Sequence, residues 1–167
     1  MVKELQEFFK ADWKDPEVAL DWYMAGWKNL EYALKWFQAG WENPKDALEW
    51  YQAGWRRPYF ALKWFKAGWE DPEVAKKWHK EGWRKPYFAL KWFKAGWRKP
   101  EIAIWWHKAG WRNPKIAYEY FSSGFEDPRE AYYLYYSKGL KPEDIDKIKE
   151  GEKDERRNNG NDKNTLS

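Results

Sequence analysis

Residues 43–55 read NPKDALEWYQAGW, and nearly every position in the stretch has a local job. Asn43 suits an N-cap, because its side-chain oxygen accepts from the free backbone N–H groups of a helix start. Pro44 then takes the first helical position, where a missing N–H does no harm. Ala47, Trp50 and Tyr51 fall on one helical face, while Glu49 and Gln52 fall on the other. Gly54 supplies the left-handed C′ residue that ends the helix. Trp55 is then C″, and its partner in a Schellman cap is C3, which is Trp50. The two tryptophans are expected to touch across the helix end.

The stretch recurs. Gly26-Trp27, Gly40-Trp41, Gly54-Trp55, Gly68-Trp69, Gly82-Trp83, Gly96-Trp97 and Gly110-Trp111 stand fourteen residues apart. A fixed short period marks a repeat protein. All nine prolines hold the same N1 role, with Leu30 in place of a proline. Fourteen is also two heptads, but a Pro and a Gly in every period exclude a continuous coiled-coil helix. The pattern predicts an all-α tandem-repeat solenoid of 14-residue helix-turn units paired into 28-residue hairpins. About eleven helices are expected, starting near Val2, Pro16, Leu30, Pro44, Pro58, Pro72, Pro86, Pro100, Pro114, Pro128 and Pro142. Residues 1–150 form the expected repeat domain. Residues 151–167, GEKDERRNNGNDKNTLS, have no apolar period and are expected to be a disordered polar tail.

Ala61-Leu-Lys-Trp-Phe-Lys-Ala-Gly68 resembles the A-x-x-W-[FY]-x-x-A pattern of Sel1-like repeats, and more broadly other TPR-type helical hairpins. Those families use repeats well over thirty residues long, so the resemblance is to a style of repeat. It implies a stack that binds partners, and nothing residue-specific.

Composition sets the remaining bounds. The chain has 167 residues, enough for one domain with a substantial core. Aromatics make up 22% of it, and the mean hydropathy of −1.09 is low partly because Trp and Tyr score as polar. With no cysteine there is no disulfide framework and no thiolate metal site. No signal-peptide pattern and no membrane-length apolar run occur, so a cytoplasmic location without membrane attachment is the expectation, with a monomer favoured. Abundant Lys, Glu and Arg without Cys also suit a thermostable protein.

No Walker loop, Rossmann glycine pattern or nucleophile motif is present, and Asp15, Asp71 and Asp127 are explained as N-caps. The chain reads as a non-enzyme without cofactor or metal. His79 and His107 occupy a slot held elsewhere by Phe or Tyr, which favours core packing over ligation. Fifteen of sixteen tryptophans lie at core positions; Trp105 falls at a mostly charged slot and is a candidate partner contact.

Charge is uneven along the chain. Residues 1–54 hold 6 basic and 10 acidic side chains, net −4; residues 55–122 hold 16 and 6, net +10; residues 123–167 hold 9 and 11, net −2. If alternate turns share an edge, Lys28, Arg56-Arg57, Arg84-Lys85 and Arg112 fall on one side. Arg98-Lys99 breaks that alternation. Arg57, Lys85 and Lys99 stand in the N-cap slot, where a cation cannot accept the free N–H groups and opposes the helix dipole. Local rules broken without visible gain tend to mark function. Tyr59 and Tyr87 follow two of these turns and could stack on bases. These ten residues, Lys28, Arg56, Arg57, Tyr59, Arg84, Lys85, Tyr87, Arg98, Lys99 and Arg112, are the candidate anion-binding set. A scaffold that binds another protein is the leading expectation, and RNA or DNA binding along the basic edge is the alternative.

Overall fold

The computed structural model describes Lys3, Gln6 and residues 13–162, with side chains to 160. Ten helices follow one another among the described residues: α1 (Pro16–Met24), α2 (Leu30–Gln38), α3 (Pro44–Gln52), α4 (Pro58–Lys66), α5 (Pro72–Lys80), α6 (Pro86–Lys94), α7 (Pro100–Lys108), α8 (Pro114–Ser122), α9 (Pro128–Tyr136) and α10 (Pro142–Asp162). No strand occurs among them, and the fold is an all-α repeat solenoid. The helix expected near Val2 lies outside the described residues.

Helix ends follow the punctuation of the sequence. Asn43 Oδ1 accepts from the backbone N–H of Lys45 at 2.9 Å and of Asp46 at 3.3 Å. Asp15, Asn29, Asp71, Asn113 and Asp127 cap their helices in the same manner. At the other end Gly54 has φ 99°, and its N–H donates to Tyr51 O at 3.0 Å. The Trp55 N–H donates to Trp50 O at 3.2 Å, which completes the Schellman pair. The rings of Trp50 and Trp55 touch as expected, with centroids 5.2 Å apart.

The chain divides into two compact units, Met1–Leu90 and Lys91–Ser167. In the first, Trp22, Trp27, Trp36, Trp41, Trp50, Trp55, Trp64, Trp69, Trp78 and Trp83 form a continuous run of ring contacts. Successive centroids are 5.1–6.0 Å apart. In the second, Trp92, Trp97, Trp106 and Trp111 form a similar run that continues into Tyr120 and Phe125. Each helix from α1 to α9 also presents a fully buried alanine, from Ala19 to Ala131, which gives the indoles room to approach.

A second use of tryptophan ties the stack together. The Trp27 indole N–H donates to Pro44 O at 2.9 Å, seventeen residues ahead. Trp41 bonds Pro58, Trp55 bonds Pro72 and Trp69 bonds Pro86 in the same way. In the second unit Trp97 bonds Pro114 and Trp111 bonds Pro128. Each such bond links one helix end to the helix after next. The tie recurs every fourteen residues, so the single helix-turn is the packing unit. Phe125 takes the slot at the end of the series and has no N–H to give.

One expectation is corrected at the C-terminus. The helix that begins at Pro142 does not stop at residue 150 but continues to Asp162. Its packing ends early: Ile145 is buried, whereas every residue from Asp146 to Gly160 is exposed. The extension is a solvated single helix. Glu143 with Lys147 and Glu152 with Arg156 sit at the i, i+4 spacing that supports one. Absence of an apolar face excludes core packing but not helix.

Candidate anion-binding site

In the first unit the turn between α3 and α4, α4 itself, the face of α5 and the turn before α6 line a cavity of about 470 Å³. Buried Trp55 and Trp64 belong to its lining, together with Gly54 and Pro86. Every ionisable side chain of its lining is basic: Arg56, Arg57, Lys63, Lys76, His79, Lys80 and Arg84. Phe60, 42% exposed, completes the lining. Arg56-Arg57 and Arg84 are brought together although 28 residues separate the two turns. This agrees with the expectation that alternate turns share an edge.

Three residues that depart from the repeat meet here. Arg57 holds the N-cap slot of α4 and makes no side-chain cap hydrogen bond. Its guanidinium lies 5.5 Å from the Phe60 ring centroid. Lys76 stands where Leu48, Leu62, Leu90, Tyr118 and Tyr132 stand in their own repeats, each packing against the Gly that ends the helix two before. Its Nζ donates to Ala53 O at 2.8 Å, a free carbonyl at the end of α3. His79 takes the slot of Phe65 and Phe93; its ring stacks on Trp55 at 5.6 Å and meets Trp64 edge-on at 5.6 Å. Its Nδ1 is buried without a hydrogen-bond partner. Burial, reinforced by the charges of Arg84 and Arg57, holds the imidazole below its ordinary pKa of 6.5, with the Trp83 backbone pulling the other way.

The other sequence-derived candidates separate into distinct roles. Arg56 and Arg98 are C-terminal caps. Arg56 Nη1 donates to Tyr51 O at 2.8 Å and lies over the Tyr51 ring; Arg98 Nη1 does the same with Phe93. Lys28 sits 4.5 Å from the Tyr23 ring centroid and Lys85 5.4 Å from that of Phe88. Lys99, like Arg57, makes no cap hydrogen bond. Tyr59 and Tyr87 are both well exposed, and Lys63 lies 4.9 Å over the Tyr59 ring. Arg112 belongs to a different cleft in the second unit, with Lys91, Lys94 and Lys115. Trp105 is 48% exposed, the only tryptophan so open among the described residues.

Phe60, Lys63, Lys76 and Lys80 were not legible as site residues from composition alone. A signal for Lys76 does exist: Ala75-Lys-Lys-Trp78 interrupts the series Ala33-Leu-Lys-Trp36, Ala61-Leu-Lys-Trp64 and Ala89-Leu-Lys-Trp92. Among the described residues no group of three His, Asp or Glu side chains could hold a metal ion, and no helix is long and apolar enough to cross a membrane. No family model, no curated protein and no solved structure matches the chain.

Proposed function

We propose that this chain is a non-catalytic helical-repeat binding scaffold whose ligand is a polyanion, with single-stranded nucleic acid as the best-fitting class. The observation that carries this reading is the cavity at residues 54–86, whose ionisable lining is wholly basic and which includes the exposed ring of Phe60. A cationic groove with stackable rings is the recurring solution for single strands, because phosphates pair with cations and every base has a π-face. Phe60 and Tyr59 on α4, and Phe88 and Tyr87 on α6, offer exposed rings beside Arg57, Lys63 and Lys85. The uncapped start of α4 supports the same reading, since capping stability has been given up where positive charge was gained.

Fluorescence anisotropy with labelled single-stranded RNA and DNA tests this reading. Binding is expected to weaken steeply as salt rises, with a slope set by the number of phosphates neutralised. Absence of salt-dependent binding to either nucleic acid would overturn it.

A protein partner is the second reading, and exposed Trp105 on α7 favours it, because large exposed aromatics are enriched at interaction hot spots. Salt-insensitive capture of one protein, abolished by Trp105→Lys, would make that reading the better one.

A further inference from the structure

We propose that the cavity over Trp55 and Trp64 is a site for a phosphomonoester, the terminal phosphate of a nucleotide or of a strand end. The proposal rests on the polyanion reading and narrows it to one chemical group.

Trp55 and Trp64, both buried, belong to the lining of the cavity. Charge sets the class of ligand. The lining holds Arg57, Lys63, Lys80 and Arg84 beyond the two cations, Arg56 and Lys76, already bonded to backbone carbonyls. Among the described residues neither Arg57 nor Arg84 donates a hydrogen bond to a protein acceptor, and the lining contains no carboxylate. A phosphomonoester carries nearly two negative charges at pH 7 and three acceptor oxygens, against a single charge on a diester. Two guanidinium groups facing one site are suited to its oxygens, since Arg forms paired hydrogen bonds to phosphate. Phe60, an exposed ring in the lining, offers a face on which the ring of the attached nucleoside can stack.

Lys76 makes the site specific to this repeat. Leucine in its place, as in the neighbouring repeats, would fill the approach to Gly54 with a hydrocarbon. Lysine instead brings an ammonium to the end of α3 and to the cavity wall.

The test compares a 5′-phosphorylated oligonucleotide, the same oligonucleotide with a 5′-hydroxyl, and adenosine monophosphate, using the full chain. The phosphorylated strand is expected to bind about tenfold or more tighter than the hydroxyl strand, one or two charge-assisted hydrogen bonds being worth that much. Adenosine monophosphate competing as well as the phosphorylated strand would support the site and assign its ligand to a free nucleotide. Equal binding of the two strands would overturn the phosphomonoester site and leave the polyanion reading standing. No binding of either strand or of adenosine monophosphate would overturn both. Three variants restore residues that the repeat itself uses at those slots and so keep the fold: Arg57→Asn, Lys76→Leu and Arg84→Glu. Combined, they are expected to erase the preference for the phosphorylated end. A triple variant that folds and keeps the full preference would overturn the assignment of these residues.

Discussion

Two clefts seventy residues apart are built on the same pattern and carry opposite charge. In the first unit the end of α1 meets the turn at 42–45, and the cleft is lined by Asp21, Met24, Ala25, Glu42, Asn43, Pro44 and Lys45. In the second the end of α6 meets the turn at 112–115, and the lining is Lys91, Lys94, Ala95, Arg112, Asn113, Pro114 and Lys115. Asn-Pro-Lys and the alanine are shared. These are the residues that cap, start and end helices. Positions 21/91, 24/94 and 42/112 do none of that work, and they have diverged from acidic or apolar to basic. The repeat therefore separates two tasks within fourteen residues. A small set of inward and capping positions builds the solenoid, and the outward positions are free to set its charge.

Exchanging the outward residues tests that separation most severely. Lys91→Asp, Lys94→Met and Arg112→Glu place the acidic cleft's side chains on the basic cleft's backbone. Affinity for single-stranded nucleic acid is expected to fall by one to two orders of magnitude, in line with losing three cations and gaining two anions. Thermal stability is expected to change little, because surface substitutions away from caps and core usually fall within about 0.5 kcal/mol. Calorimetry and anisotropy on one preparation check both halves. A large loss of stability would mean the outward positions also hold the fold.

The inward set has the opposite expectation. Trp41→Phe keeps an aromatic ring in the slot but removes the N–H that donates to Pro58 O, a bond of 2.9 Å at a part-buried site. Chemical denaturation should show a loss of about 1–3 kcal/mol, the range for an unmade buried hydrogen bond. Trp105→Phe is the control and should cost far less, since that ring is half exposed. Equal losses would mean that the indole N–H ties contribute nothing.

How much of this could be read beforehand follows from the range of each interaction. Helix starts and stops were legible because each signal is local: Asn43 reaches only to Lys45 and Asp46, and Gly54 and Trp55 reach back only to Tyr51 and Trp50. The touching of Trp50 and Trp55 followed from cap geometry alone. The ties from Trp27 to Pro44 and from Trp55 to Pro72 were not legible, because they depend on which helix lies beside which. The cavity failed to appear for the same reason: its residues come from α4, α5, the start of α6 and the turns before α4 and α6, and Lys76 acquires meaning only when it meets Ala53. The capping role of Arg56 and Arg98 was not legible, since nothing local says that a cation after the tryptophan turns back onto the preceding helix end. The C-terminal extension of α10 was missed because lack of an apolar face was taken as lack of helix.

The glycines sharpen the inward side further. Gly68 has φ +108°, and a Cβ there would meet Leu90 Cδ2 at 3.2 Å, so Gly68→Ala combines backbone strain with a tight contact. Gly124 has φ +98° and nothing within 4 Å, so Gly124→Ala carries the strain alone. Both should destabilise by roughly 1 kcal/mol or more, with Gly68→Ala the worse, whereas Ala67→Gly should cost no more than about 1 kcal/mol. Melting curves that rank Ala67→Gly worst would undo the helix-end assignment.

The smallest effect expected is also the most specific to the cavity. His79 sits in a slot that elsewhere holds Phe or Tyr, and burial together with Arg84 and Arg57 keeps its folded-state pKa below 6.5. The unfolded chain binds a proton at this residue more readily than the folded one does. Stability from this group is therefore complete above pH 6.5 and is lost as pH falls below that value toward the lower folded pKa. Arg57, Lys63, Lys76, Lys80 and Arg84 line the same cavity. His79→Phe should flatten the fall in melting temperature between pH 7 and pH 5, once the carboxylate contribution common to both proteins is subtracted. His107 in the second unit, edge-on to Trp92 at 5.6 Å, supplies the comparison through His107→Phe. If the two substitutions flatten the profile equally, the depression at His79 comes from burial in the repeat slot. If His79→Phe has the larger effect, the excess measures what the guanidinium groups of Arg57 and Arg84 do to a proton in this cavity, and adding inorganic phosphate should shrink that excess by offsetting their charge.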